Sequence, residues 1–248
     1  MSKKIFSAFG FMILLNVLVK LYWVFGIEVW TQNLLGLDSY GNYFAILNYS
    51  WLALILADFG LTQYNTRIIS ANSNELQKIF PSLFTLKLIL GVFFTSFLFS
   101  LAGIFNFSAE QFQILAFVAA TQVLLSLTLF LRSNISALQL FKTDALLSVA
   151  DKFIMGLACT WFIFFSESFT RNQFMSAQVA GLALAAFFAL IAIIWKFPKL
   201  NWTPDFKLAF QILKKAAPYS VFIALMSIYT RMDGFMIEQL LPNGTYHS

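Results

Sequence analysis

The stretch IYTRMDGFMIEQLL, residues 228–241, places Arg231 and Asp233 two positions apart inside an apolar run. Two residues along an α-helix correspond to a rotation of about 200°, so the two side chains point to nearly opposite sides. They cannot neutralise each other, and at least one needs a partner on another helix or in a polar cavity. A guanidinium is planar, permanently charged and well shaped for phosphate. Arg231 is therefore a candidate phosphate ligand, and the alternative is that these charges form structural ion pairs with other helices.

Another isolated charge, Lys20, lies near the middle of the apolar run that opens the chain. Asn16 and Glu28 fall roughly on the same helical face. Lys20 and Glu28 are about 12 Å apart along the helix axis and cannot pair directly. Because an ionisable group at membrane depth costs roughly 2.5–3.5 kcal/mol, Lys20 is expected to face a polar cavity or a partner on a neighbouring helix. The remaining alternative is that it snorkels to the interface.

Three further charges lie close to the ends of apolar runs. Asp58 and Arg67 flank the end of the second run in ADFGLTQYNTR, where a capping or topological role is expected. Lys87 lies about one turn into the third run, from which a lysine can snorkel to the interface.

Composition identifies the setting of these charges. The 248 residues are 60% hydrophobic and 11% charged, against roughly 45–50% and 25% in ordinary soluble domains. So few charges cannot cover a soluble core, which indicates a polytopic membrane protein. One cysteine (Cys159) and one histidine (His247) argue against disulfides and against a cysteine- or histidine-based metal site. With no phosphate-binding-loop, dinucleotide-binding or metalloprotease motif in the sequence, no cofactor and no catalytic residue is expected.

The apolar runs predict an all-α integral membrane protein. A spanning helix needs about 20 apolar residues, and seven runs qualify. Six form an N-terminal lobe, and the seventh is the first helix of a second lobe. The predicted spans are 5–30, 41–61, 82–105, 112–131, 146–166, 177–195 and 218–241.

Lysine and arginine predict the orientation. With the N-terminus in the cytoplasm, eleven basic residues fall in cytoplasmic segments and only Arg171 falls outside. Their spread over separate loops argues against nucleic acid as a partner. The eleven are Lys3, Lys4, Arg67, Lys78, Arg132, Lys142, Lys196, Lys199, Lys207, Lys214 and Lys215.

A long connection follows the sixth run. Thr203, Pro204 and Asp205 favour the start of a helix there. Its apolar face would lie in the membrane interface, with lysines at anionic headgroups, and the alternative is a soluble connector. The predicted apolar face consists of Phe206, Phe210, Leu213 and Ala217. The predicted division is a six-helix membrane lobe over 1–196, a cytoplasmic linker with this amphipathic helix over 197–217, and the first helix of an incomplete second lobe over 218–248.

Three stretches resemble the Wzx-type oligosaccharide flippases of polysaccharide biosynthesis, in the multidrug/oligosaccharidyl-lipid/polysaccharide exporter superfamily. LGLDSYGNYFAI is similar to the family's first outer loop, LADFGLTQYNTR to the end of its second helix, and YTRMDGFMIEQLLPNGTY to its seventh helix. The resemblance spans the whole chain. Family members usually have twelve to fourteen helices in two lobes, so this chain is expected to be a fragment.

The resemblance implies that the full-length protein moves lipid-linked oligosaccharide, of the undecaprenyl-diphosphate type, across the bacterial inner membrane. The direction is cytoplasmic to outer leaflet, for surface polysaccharides such as O-antigen. No covalent bond changes, so the protein is expected not to be an enzyme. Lys20, Arg67 and Arg231, together with Asp233, are the residues assigned to the substrate headgroup. Membrane lipids and other glycan-assembly membrane proteins are the remaining expected partners.

Three alternatives remain open. A cation-coupled multidrug antiporter of the same superfamily needs an acidic site in the first lobe, and the cation Lys20 in the first helix argues against it. An integral-membrane enzyme needs clustered acidic residues or histidine near an interface, and the acidic residues near the outer helix ends form no spaced motif. The last alternative is an inactive membrane fragment.

Overall fold

The computed structural model describes the backbone of residues 2–165, 169–197 and 202–240. Within these ranges, the side chains of 2–9, 11–12, 37, 52, 227–228 and 230–240 lie outside the description. The described residues form eight α-helices, confirming the all-α fold class. The helices are α1 (Ser2–Leu21), α2 (Val29–Ala53), α3 (Leu61–Ala71), α4 (Glu75–Ile104), α5 (Ala109–Ala137), α6 (Phe141–Phe165), α7 (Arg171–Lys196) and α8 (Phe206–Leu240).

Six spans in the described part of the chain are long and apolar enough to cross a membrane. The predicted second span, over 41–61, is not among them, because α2 is broken at Gly36, where φ is 76°, and ends at Ala53, which leaves too short a helix between these two residues. The multi-pass prediction is confirmed. The spans are Ile13–Gly36, Glu75–Ile104, Ala109–Ala137, Phe141–Phe165, Arg171–Lys196 and Phe206–Met226.

A π-helical segment, Tyr22–Glu28, joins α1 to α2. It packs on α6 so closely that a Cβ at Gly156 would lie 2.5 Å from a ring carbon of Tyr22. The Tyr22 hydroxyl lies 3.1 Å from the Gly156 carbonyl and 2.6 Å from Thr160 Oγ1. The missing side chain at position 156 therefore lets the π-helical segment and α6 meet around a satisfied tyrosine hydroxyl.

The bundle is organised around α5, which contacts α2, α3, α4, α6 and α7. Large side chains form two buried clusters, one toward each end of the helices. The cluster nearer the α4–α5 turn includes Phe94, Leu98, Leu115 and Phe174. The cluster nearer the α5–α6 turn includes Phe80, Leu83, Phe130, Ile193 and Ile212.

The predicted interfacial helix and the predicted seventh span form one continuous helix, α8, which passes through Pro218. Asp205 is the residue that caps it, accepting hydrogen bonds from the backbone N–H groups of Lys207 and Leu208 at 2.8 and 3.1 Å. The face that packs on the protein carries Ala209, Ile212 and Ala216, while Phe206 and Phe210 are exposed. This segment lies within the candidate span Phe206–Met226, and its position in the membrane interface stays a prediction. The division into lobes stays a prediction.

Candidate functional site

The chain breaks its helical path between α2 and α3. Leu54–Ala57 forms one turn of 3-10 helix, and Phe59 and Gly60 adopt φ angles of 47° and 72°. Irregular backbone in a membrane bundle is tolerated where protein buries it or where it lines a cavity. This break therefore marks the first place to search for a functional site.

A buried ion pair holds the break. The Lys87 ammonium on α4 donates to the carboxylate of Asp58, and Lys87 is only 3% exposed. Thr62 on α3 also donates to Asp58, from its hydroxyl at 2.5 Å and its backbone N–H at 3.4 Å. The prediction that Lys87 snorkels to the interface is wrong, because the break brings an opposite charge directly to it.

The position of Lys87 explains why it needs this partner. Lys87 lies about 18 Å along α4 from Glu75, counting 1.5 Å per residue. An unpaired charge at that depth is costly, and pairing with a carboxylate that accepts further hydrogen bonds offsets the cost. The Lys87 ammonium also lies 6.0 Å from the centre of the Phe130 ring.

A cavity of about 140 Å³ adjoins Asp58. A water molecule occupies about 30 Å³ in the liquid, so this space has room for a few waters. Ser126 at its wall donates a hydrogen bond to the Ala57 carbonyl at 3.1 Å, and Ile223 of α8 contributes to the lining. The described residues contain no group of three or more His, Cys, Asp or Glu side chains placed to bind a metal ion.

Helix α8 closes over the break in a seam with α3. A Cβ at Gly60 would lie 2.7 Å from the Ser220 backbone nitrogen and 2.8 Å from the Ala216 carbonyl oxygen. Arg67, one of the predicted site residues, donates from Nη1 to the Tyr219 hydroxyl at 2.7 Å. Arg67 is exposed, so the guanidinium retains donors for a ligand while α8 fixes its position.

Lys20, the second predicted site residue, is exposed on α1. Its helical neighbour Asn16 donates to Ser148 Oγ of α6 at 3.0 Å. Helix α1 packs mainly on α6, whereas α3 packs mainly on α5 and α8, so Lys20 and Arg67 are not brought together. The π-helical segment changes the rotation between Lys20 and Glu28, so the face predicted from regular α-helical periodicity does not extend through it.

Arg231 and Asp233, the other two predicted residues, belong to the backbone of α8. Their side chains lie outside the described residues, so their partners remain predictions. Sequence reasoning missed the pairing of Asp58 with Lys87. The available signal was a lysine and an aspartate, both at apolar-run positions, in consecutive predicted spans.

One of three comparisons with known proteins found a match. No curated protein and no solved structure matches the chain. The family model described as "Polysaccharide biosynthesis protein" matches residues 6–246, which is nearly the whole chain. This match shows that the chain, with its six membrane-length spans in the described residues, belongs to the polysaccharide biosynthesis protein family.

Proposed function

We propose that the full-length protein moves a lipid-linked oligosaccharide from the cytoplasmic to the outer leaflet of a bacterial inner membrane. The substrate is of the undecaprenyl-diphosphate type, and the N-terminus is cytoplasmic. The observation that carries the proposal is Arg67, an exposed guanidinium held against α8 by Tyr219. Membership of the polysaccharide biosynthesis family supports a substrate that belongs to polysaccharide assembly.

The task requires no covalent chemistry. A diphosphate headgroup crossing the membrane needs cationic contacts, and its lipid chain stays in the bilayer. Lys20 and Arg67 are exposed cations on two different faces of the bundle, and Arg231 is assigned to the same role. Asp233, on the opposite side of the helix from Arg231, is assigned to contact the sugar through its carboxylate.

The ion pair at the break argues against the antiporter alternative. A cation-coupled transporter needs an acidic group that can accept Na⁺ or H⁺. Two acidic side chains lie mostly inside the described bundle, and each already has a basic partner: Asp58 has Lys87, and Asp144 has Arg132. The oligosaccharide reading therefore accounts for the described charges better than cation exchange does.

The test is glycan export in cells that lack the natural protein and express full-length variants. Lys20→Gln, Arg67→Gln and Arg231→Gln are expected to reduce surface glycan by about tenfold each, because a charge-assisted contact contributes roughly 1.5–3 kcal/mol. The matched control is Lys142→Gln, an exposed lysine at the start of α6. Membrane protein levels are measured in parallel by immunoblot. Normal export in all three variants, at normal protein levels, would exclude the proposed headgroup contacts.

A further inference from the structure

A polar cleft lies at the end of the bundle that carries the α4–α5 turn. We call this the opposite end, and the end with the α3–α4 and α5–α6 turns the basic end. The cleft has a volume of about 370 Å³ and lies between the start of α7, the first turn of α5 and the part of α2 beyond Gly36. Every residue that lines it is polar, in a chain that is 60% hydrophobic. The lining residues are Asp38, Ser39, Asn42, Glu110, Thr170, Arg171 and Asn172.

Arg171 has an unusual place in this cleft. It is the single basic residue predicted for that side of the membrane, and its side chain is only 13% exposed. Its Nη2 donates to Glu110 Oε1 at 2.6 Å, and its Nε is buried without a hydrogen-bond partner among the described residues. A buried N–H group with no partner is costly, so the wall of the cleft holds Arg171 in a position that packing alone does not favour.

The cleft is held by rigid contacts beneath it. Tyr43 of α2 and Gln178 of α7 exchange two buried hydrogen bonds, at 3.1 and 2.9 Å. The Tyr43 ring also packs edge-on against Phe174, with ring centres 5.6 Å apart. Walls fixed in this way lose little conformational freedom when a ligand binds, which favours affinity.

The beginnings of α5 and α7 are fixed by the same device. Ser108 and Gln111 exchange side-chain-to-backbone hydrogen bonds at the start of α5, at 2.8 and 3.3 Å. Thr170 and Gln173 do the same at the start of α7, at 2.8 and 3.4 Å. These capping boxes hold Glu110 and Arg171 on ordered first turns rather than on loops.

The charge of the cleft indicates which ligand it suits. Two carboxylates, Asp38 and Glu110, face one guanidinium, so the lining carries one net negative charge and disfavours phosphate. The carboxylates accept hydrogen bonds, the guanidinium donates them, and the amides of Asn42 and Asn172 do both. Paired donors and acceptors of this kind match vicinal hydroxyl groups, and the volume falls within the range of small-molecule pockets.

We propose that this cleft binds the saccharide part of the substrate, one or two sugar rings at a time. This inference rests on the proposed function and adds a division of roles to it. The exposed cations contact the diphosphate, and the cleft at the opposite end contacts neutral hydroxyl-rich rings.

The test measures saccharide binding without lipid or phosphate. The probe is the free oligosaccharide, released by mild acid hydrolysis from the lipid-linked precursor of the source organism. Saturation-transfer NMR with purified full-length protein is expected to give signals from the ring protons of the oligosaccharide. Asn42→Ala and Asn172→Ala are expected to weaken the Kd about fivefold each, since each removes hydrogen bonds to the sugar. Both side chains are exposed, so the fold is expected to persist.

Three outcomes would overturn the inference. They are no saturation transfer from the wild-type protein to the sugar, equal binding by wild type and both asparagine variants, and displacement of the sugar by inorganic phosphate. Lys142→Gln is the control with unchanged binding. The result is independent of the headgroup test: loss of export in Lys20→Gln and Arg67→Gln with no sugar binding leaves the proposed function standing and removes only the cleft.

Discussion

In the half of the bundle nearer the basic end, Asp58 and Lys87 form an ion pair buried at the break between α2 and α3, whereas at the opposite end Arg171 and Glu110 form one at the rim of an open cleft. The exposed fractions of the side chains differ accordingly, at 2% and 19% for Lys87 and Asp58 against 13% and 61% for Arg171 and Glu110. Exposed ion pairs contribute little to stability, while breaking a buried pair leaves an uncompensated charge. The same chemistry therefore serves packing at one end and leaves groups available for binding at the other.

The largest expected loss of stability follows from breaking the buried ion pair between Asp58 and Lys87. Asp58→Asn leaves the buried ammonium of Lys87 without a counter-charge and is expected to destabilise the protein by about 3–5 kcal/mol. The measurements are the yield of monodisperse protein after detergent extraction and the midpoint of its thermal unfolding.

The double variant Asp58→Asn with Lys87→Met separates the lost pair from the stranded charge. It removes the charge as well as the pair, so most of the lost stability is expected to return. A double variant as unstable as Asp58→Asn would mean that the carboxylate supports the break mainly through Thr62 rather than through Lys87.

A smaller loss is expected where α8 meets the break. Gly60→Ala places a methyl group within 2.8 Å of α8 backbone atoms, at a residue whose φ is 72°. Backbone strain of this type costs about 1–3 kcal/mol, and the thermal midpoint should fall accordingly. Gly103→Ala is the matched control, because a Cβ there meets no atom within 4 Å and its φ is not positive. Equal midpoints for the two variants would show that α8 can move away from the seam without cost.

The long apolar helices could be predicted from the sequence, because a bilayer imposes both their length and their composition. Helices α5 and α7 cover their predicted spans, α4 and α6 end one residue short of theirs, and all four begin several residues earlier than predicted. The break after Ala53 was missed, because the run NYSWLALILADFG continues the apolar pattern through a change of backbone path. Hydrophobicity decides which residues lie in the membrane and does not decide the backbone geometry within it.

The candidate site was harder to predict than the fold. Arg67 and Lys20 could be selected as charges next to or inside apolar runs, and both are exposed. The pairing of Asp58 with Lys87 depends on a turn that no periodicity shows, since the residues are 29 positions apart. The cleft depends on three helix ends meeting, and Arg171 was recognised only as an exception to the charge asymmetry.

A modest effect is expected at the rim of the cleft. Arg171→Gln removes the ion pair with Glu110, and because Glu110 is 61% exposed the loss of stability should stay below about 1 kcal/mol. The same change removes the guanidinium from the wall of the cleft, so the Kd for the free oligosaccharide should rise although the loss of stability is small. Thermal unfolding and saturation-transfer NMR on one preparation measure both. A loss of stability as large as that of Asp58→Asn would show that the two ion pairs do the same structural work.

The smallest stability effect is expected for Asn42→Ala, and this variant compares the two ends most directly. Asn42 is exposed and lines the cleft, so its replacement should change stability by no more than about 0.5 kcal/mol. The variant can no longer make the hydrogen bonds of this amide to a bound sugar, so the Kd should rise about fivefold. An unchanged thermal midpoint with weakened binding assigns the residue to recognition, because a purely structural residue would change the midpoint first. A lowered midpoint with unchanged binding would give Asn42 a structural role like that of the buried ion pair. The contrast between the two ends would then fail at the residue where it should be clearest.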